Sequence, residues 1–146
     1  MSRYESYFYS NRYEWTAQAA GRILDLVLPR LPPVRSALDV GCGVGAWLSV
    51  LQERGVADVA GIDGAWVDEK LLVIPADKFR RANLSSPLRL ERRFDLAICL
   101  EVAEHLPPER ADGFVGELTG AADFVLFSAA IPFQGGYGHV NEQWQS

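Results

Sequence analysis

The sequence predicts an α/β domain built on a doubly wound, mostly parallel sheet. Short apolar runs alternate along the chain with stretches of helical spacing, the order expected of strands joined by helices. The runs are apolar throughout rather than alternating with polar residues, as in strands covered on both faces. The first of them ends in Gly41-Cys42-Gly43-Val44-Gly45 and resumes as a helix, a strand-turn-helix passage. At 146 residues the chain fits one domain, 1–146, with one active site.

The elements follow in order. From Glu14 to Leu31, residues Ala17, Ala20, Ile23, Leu24, Val27, Leu28 and Leu31 recur at helical spacing, and Pro29, Pro32 and Pro33 end that opening helix. Ala37 to Val40 is the first strand, and Trp47, Leu48 and Leu51 carry a helix as far as Gly55. Asp58–Ile62 reads as a second strand, Phe79–Leu84 as a weaker third, Phe94–Leu100 as a fourth and Asp123–Ala129 as a fifth. Pro107-Pro108-Glu109 starts a helix through Leu118, since proline is tolerated where the N–H has no helical partner. The tail 132–146, with Gly135, Gly136 and Gly138 among polar and aromatic residues, reads as a loop lying over a site.

Composition narrows the function. A net charge of -5 argues against nucleic acid and anionic membranes as partners, and the one basic cluster, Arg80, Arg81, Arg89, Arg92 and Arg93, reads as a solvated face. The N-terminus carries no apolar leader and no stretch reaches membrane-span length, so a cytoplasmic protein is expected. Cys42 and Cys99 suit neither a disulfide framework nor a metal site and are expected as buried, reduced thiols; no metal is expected.

The chemistry concentrates at the glycine turn. Glycines there let backbone approach a ligand, and the following helix offers unpaired N–H groups to negative charge. Asp63 follows Gly41 by 22 residues, at the end of the second strand, where a carboxylate can accept from a ribose diol. Gly41, Gly43 and Ala46 also satisfy a dinucleotide pattern, so a nicotinamide cofactor competes on spacing alone. Asp39 before the turn, Gly45 within it and the segment after the fourth strand favour S-adenosylmethionine.

These segments together form a motif series. Leu38 to Gly45, Gly61-Ile62-Asp63-Gly64, Asn83-Leu84 and Phe94 to Leu106 resemble the motifs of class I S-adenosylmethionine-dependent methyltransferases, over Ala37–Leu106. Phe127 to Pro132 and Gly138 to Trp144 are similar to a small-molecule or glycan-pathway subgroup. The resemblance implies a Rossmann-like methyltransferase fold. It places Gly41, Cys42, Gly43 and Gly45 at the methionine part of the cofactor, Asp63 and Gly64 at the ribose, Asn83 and Leu84 at the adenine, and Leu100 with Glu101 facing the sulfonium. Asn83 departs from the usual aspartate, though its side-chain oxygen can still accept.

Methyl transfer is an in-line displacement, and a hydroxyl acceptor must also lose a proton. His139, His105, Glu101 and Glu142 are the candidate bases. His105 is equally readable as a cap after the fourth strand, Glu104 reads as solvated, and Asp39 as a buried group that fixes the glycine turn by hydrogen bonds. Tyr4, Tyr7, Phe8, Tyr9, Tyr13 and Trp15 could cover the cofactor or pack on the sheet edge. Trp144 and Asn141 could meet a sugar or amide.

The expected function is thus methyl transfer to a small-molecule or glycan-precursor acceptor, at oxygen. A noncatalytic cofactor-binding module is the alternative, and a nicotinamide oxidoreductase a further one that lacks a Tyr-x-x-x-Lys pair. In the family the sheet continues into an antiparallel pair after the fifth strand. That pair has no counterpart here, which implies a C-terminally shortened chain. Its fifth strand is then expected to be protected by the tail, or by pairing with another copy in a homo-oligomer.

Overall fold

A computed structural model describes residues 3–144, and the side chains from Tyr13 onward. Five strands form one all-parallel sheet in the order β3-β2-β1-β4-β5: β1 Ser36–Val40, β2 Asp58–Asp63, β3 Phe79–Arg81, β4 Phe94–Leu100 and β5 Ala122–Ser128. Helices α1 (Arg3–Val27) and α2 (Ala46–Glu53) cover one face, and α3 (Ala111–Ala121) packs on the other against β4 and β5. The doubly wound α/β fold is therefore the one the sequence implies.

Side-chain alternation along the strands divides the core in two. Ala37, Val59, Leu96 and Ile98 point toward α1 and α2, where Leu24, Leu48 and Leu51 are fully buried. Leu38, Val40, Ala97 and Cys99 point the other way, onto Phe114 and Leu118 of α3. Asp95 ties the starts of β1 and β4 together by accepting from the Arg35 and Ser36 N–H groups, at 2.7 and 2.9 Å, while Ser36 Oγ accepts from Asp95 N–H. Those donors, Arg35 N–H first, hold the Asp95 carboxyl below its ordinary range.

Several boundaries differ from expectation. α1 begins at Arg3 rather than Glu14 and ends at Val27, where a 3-10 turn, Leu28–Arg30, accommodates Pro29. Of its expected apolar face, Ala20 and Leu24 are fully buried but Ile23 is exposed. β3 stops at Arg81 instead of Leu84, because the backbone turns at Asn83, whose Oδ1 accepts from Ser85 N–H. A 3-10 turn, Pro108–Arg110, precedes α3. The side chains of Tyr4, Tyr7, Phe8 and Tyr9 lie outside the described ones; Trp15 is exposed.

The basic cluster is a face of ion pairs. Arg92 grips Asp58 through both terminal nitrogens, at 2.7 and 2.6 Å, Arg93 meets Asp123 and Arg81 meets Glu69. The Arg92 hydrogen bonds hold the Asp58 carboxyl below its ordinary range. Cys42 and Cys99 are free and buried, and burial pushes both thiols up. Among the described residues no helix is long and apolar enough to cross a membrane.

Candidate functional site

The site lies where the strand order reverses. β2 lies to one side of β1 and β4 to the other, so the carboxyl ends of β1 and β4 open a crevice between diverging connections. The glycine turn fills the β1 side, with Gly41 and Cys42 N–H donating to Ile62 O at 2.7 and 3.2 Å. Gly41 has a φ of +84°, and a Cβ there would overlap Val102 Cγ2, so the turn and the segment after β4 meet only because this residue lacks a side chain. Gly43, at φ +54°, faces open space. Gly45 is the N-cap of α2 and supplies no side-chain cap, which leaves the first-turn N–H groups uncapped from that position.

Asp63 latches this turn. Its Oδ2 accepts from Gly43 N–H and its Oδ1 from Gly64 N–H, each at 2.6 Å, with the residue 4 % exposed. Asp39 does not play the part expected of it. It is buried, its Oδ2 has no hydrogen-bond partner among the described residues, and burial with the neighbouring Asp63 charge raises its carboxyl to about 8. The sequence pointed to the wrong aspartate because Asp39 is adjacent to the turn in the chain, whereas Asp63 is adjacent only through the β1–β2 pairing.

The remaining predicted residues divide. Leu100 ends β4, and Glu101 follows in the left-handed region at φ +56°, with its N–H bonded to Ser128 O and its Oε1 accepting from Ser128 Oγ at 2.7 Å. Asn83 is exposed, with Oδ1 engaged by Ser85 N–H. Leu84 is 2 % exposed and its side chain belongs to the core under α3, so the expected adenine border rests on its backbone and on Asn83. Trp66, which sequence reasoning missed, lays its indole against Gly64 while remaining exposed. A hydrophobic aromatic three residues past Asp63 was the signal available.

The tail comes back over the turn that follows β4. Val140 and Asn141 N–H donate to Glu104 O at 2.8 and 3.1 Å, and His105 Nδ1 lies 3.1 Å from Gly138 O. The rings of His105 and His139 stand edge to face with centroids 5.1 Å apart, and His139 Nδ1 is 3.1 Å from Glu142 Oε1. Three of the four candidate bases, His105, His139 and Glu142, are thus neighbours, and the fourth, Glu101, begins the turn that carries His105. Glu104 corrects its expectation: it is fully buried, with both carboxylate oxygens unpartnered among the described residues. A cleft of about 500 Å³ lined by Val59, Phe79, Arg80, Arg92 and Phe94 includes none of these residues.

A family model described as a methyltransferase domain matches residues 11–112. The chain belongs to that family. Among curated relatives of this methyltransferase-domain chain, ubiquinone biosynthesis O-methyltransferase of Psychrobacter arcticus is 33 % identical over 89 residues, covering 53 % of this chain and 33 % of the relative. Chloroplastic magnesium protoporphyrin IX methyltransferase of Arabidopsis thaliana is 26 % identical over 90 residues, covering 58 % and 29 %. The chain spans about a third of the length of these relatives. Among solved structures, DesVI of Streptomyces venezuelae aligns with a TM-score of 0.67 and 23 % identity, over 90 % of this chain and 58 % of DesVI. CalS10, an amino pentose methyltransferase from Micromonospora echinaspora, aligns with a TM-score of 0.66 and 22 % identity, over 94 % and 61 %. These structures share the fold.

Proposed function

We propose that residues 1–146 act as one S-adenosylmethionine-binding domain that methylates a small-molecule or glycan-precursor acceptor at oxygen. The carrying observation is the glycine turn latched to Asp63 beside the β1–β4 crevice, in a chain of the methyltransferase-domain family. The residues present fit the cofactor: Gly43 faces open space, the start of α2 lacks a side-chain cap, and Asp63 retains lone pairs beyond the two it uses. CalS10, crystallised with S-adenosylmethionine, and the ubiquinone-pathway O-methyltransferase support the cofactor and the acceptor class. The reduced, buried thiols support a cytosolic setting.

When bound, the cofactor supplies a methyl group activated by a positive sulfur. The protein's own part is then alignment, exclusion of water and removal of one proton. The Gly41–Gly45 turn and the α2 N-terminus receive the methionine carboxylate, as helix N-termini receive anions. Asp63 takes the ribose hydroxyls, Gly64 and Trp66 border the sugar, and the Asn83-Leu84 backbone meets the adenine edge. Leu100 and Glu101 flank the sulfonium. For proton removal the site offers His139, His105 and Glu101. With Nδ1–H given to Glu142, His139 carries its lone pair on Nε2.

Calorimetry with S-adenosylmethionine, its demethylated product and NAD tests the reading. We expect the first two to bind and NAD not to compete. Asp63→Ala should cost about 1.5 to 3 kcal/mol of cofactor affinity, the range for hydrogen bonds to a charged group. An unchanged affinity removes Asp63 from the site, and preferential NAD binding overturns the reading. Mass spectrometry of candidate acceptors should show a product heavier by one methylene.

A further inference from the structure

We propose that Glu104, His105 and His139 form a binding site for a divalent first-row transition cation, zinc foremost, which clamps the tail to the turn after β4. Glu104 is 0 % exposed and neither carboxylate oxygen has a hydrogen-bond partner among the described residues. An ionised carboxylate left that way is costly, and a cation within its reach offsets the cost. Its neighbours supply the other ligands: one donor atom from each of Glu104, His105 and His139 lies within 4.8 Å of the rest. Zinc sits about 2.0–2.2 Å from nitrogen and carboxylate ligands, so small side-chain rotations bring the three into its shell.

The surroundings suit ligation. A histidine that ligates through one nitrogen gives its other N–H to a carboxylate or carbonyl, which fixes the ring. His139 has Glu142 Oε1 and His105 has Gly138 O, each at 3.1 Å from Nδ1, so Nε2 is the nitrogen of each ring left to ligate. Two nitrogens and one carboxylate select zinc, cobalt or ferrous iron over magnesium and calcium, which take oxygen ligands. The ligands come from two segments that the Val140 and Asn141 bonds to Glu104 O already hold together. Sequence spacing does not disclose the set, because His105 and His139 are 34 residues apart.

Three protein ligands leave a position open for water or an acceptor oxygen, at the carboxyl end of β4. In the loaded site the imidazoles are ligands, and Glu101 is left to take the acceptor's proton. That last role rests on the methyl-transfer reading, whereas the cation site does not.

The test uses chelator-treated full chain without cofactor or acceptor, so its outcome is separate from that of the methyl-transfer reading. Titration with zinc chloride by calorimetry should show one site per chain, and cobalt chloride should give the visible absorption of a low-symmetry complex. Magnesium chloride should give neither. Glu104→Gln and His139→Ala should each weaken zinc by at least about 10-fold, and Glu142→Gln by about 10- to 100-fold, the range for loss of a group supporting a ligand. Thermal melts monitored by circular dichroism confirm that each variant is folded. Absence of zinc and cobalt binding in the wild-type chain overturns the site, as does a folded His139→Ala that binds zinc like wild type.

Discussion

Two carboxylates end up side by side at the carboxyl ends of β1 and β2, and they differ in what surrounds them. Asp63 accepts two short backbone hydrogen bonds, while Asp39 keeps a buried oxygen without a donor among the described residues. A proton shared between the sites therefore resides on Asp39, whose carboxyl is raised from 3.8 to about 8 by burial and by Asp63. The folded chain holds this proton over a range where the unfolded chain releases it. The resulting stability is fully present below about 3.8, falls as pH rises, and is gone above about 8. Asp39→Asn keeps the shape without the charge, so it should flatten that dependence. Urea unfolding at about pH 5 and about pH 9 checks this: the wild-type midpoint should fall between the two, and the variant's much less. Equal falls would show that Asp39 is ionised in the folded chain.

α3 is held by a pair that no periodicity announces. Arg110, at its N-cap, donates to Ser86 O at 3.1 Å and to Glu117 Oε2 at 2.6 Å, and the same Oε2 accepts from Leu88 N–H at 3.1 Å. The side chains are 9 % and 19 % exposed, so this pair is far drier than the other arginine pairs. It fastens the irregular segment between β3 and β4 to the helix. Glu117→Ala leaves the guanidinium buried without its counter-charge, and we expect a loss of about 3–5 kcal/mol in urea unfolding. A loss under about 1 kcal/mol would mean that water replaces the carboxylate.

Elements of this kind separate what a sequence reveals from what it conceals. β1, β2 and β4 were legible within a residue or so because each is a short apolar run stopped by glycine or an acid. β3 pairs on one side only, and past Arg81 it keeps the Ala82 N–H to Asp63 O bond at 2.8 Å before the chain turns at Asn83. The first turns of α1 carry Tyr4, Tyr7 and Phe8 at helical spacing but no aliphatic residue, and the expected helix therefore began only at Glu14. At the candidate site the Gly41–Gly45 turn was legible because a nucleoside-type turn constrains spacing, whereas its latch to Asp63 was not. Glu104 and Arg110 were not, since a charged residue reads as solvated until its surroundings are seen.

At the scale of the molecule, the sheet order decides where the chain is open. It sets β1 and β4 together to form the crevice and leaves β5 at the edge. That edge was expected to be protected either by the tail or by another copy; the Val140 and Asn141 N–H groups of the tail go to Glu104 O, and among the described residues no strand pairs with the outer side of β5. Phe124 and Phe127 on this strand are 38 % and 44 % exposed. A strand with free N–H and C=O groups and exposed aromatic side chains attracts another strand, and charge on the edge discourages it. We therefore predict that the chain associates with its own copies through β5 as concentration rises, visible as an increasing mass in light scattering. Phe127→Lys replaces an exposed side chain, so it should change fold stability little while lowering the associated fraction. A wild-type chain that stays monomeric at high concentration, or a Phe127→Lys variant that associates as readily, would place any contact between copies elsewhere and leave the edge guarded by its own twist and solvation.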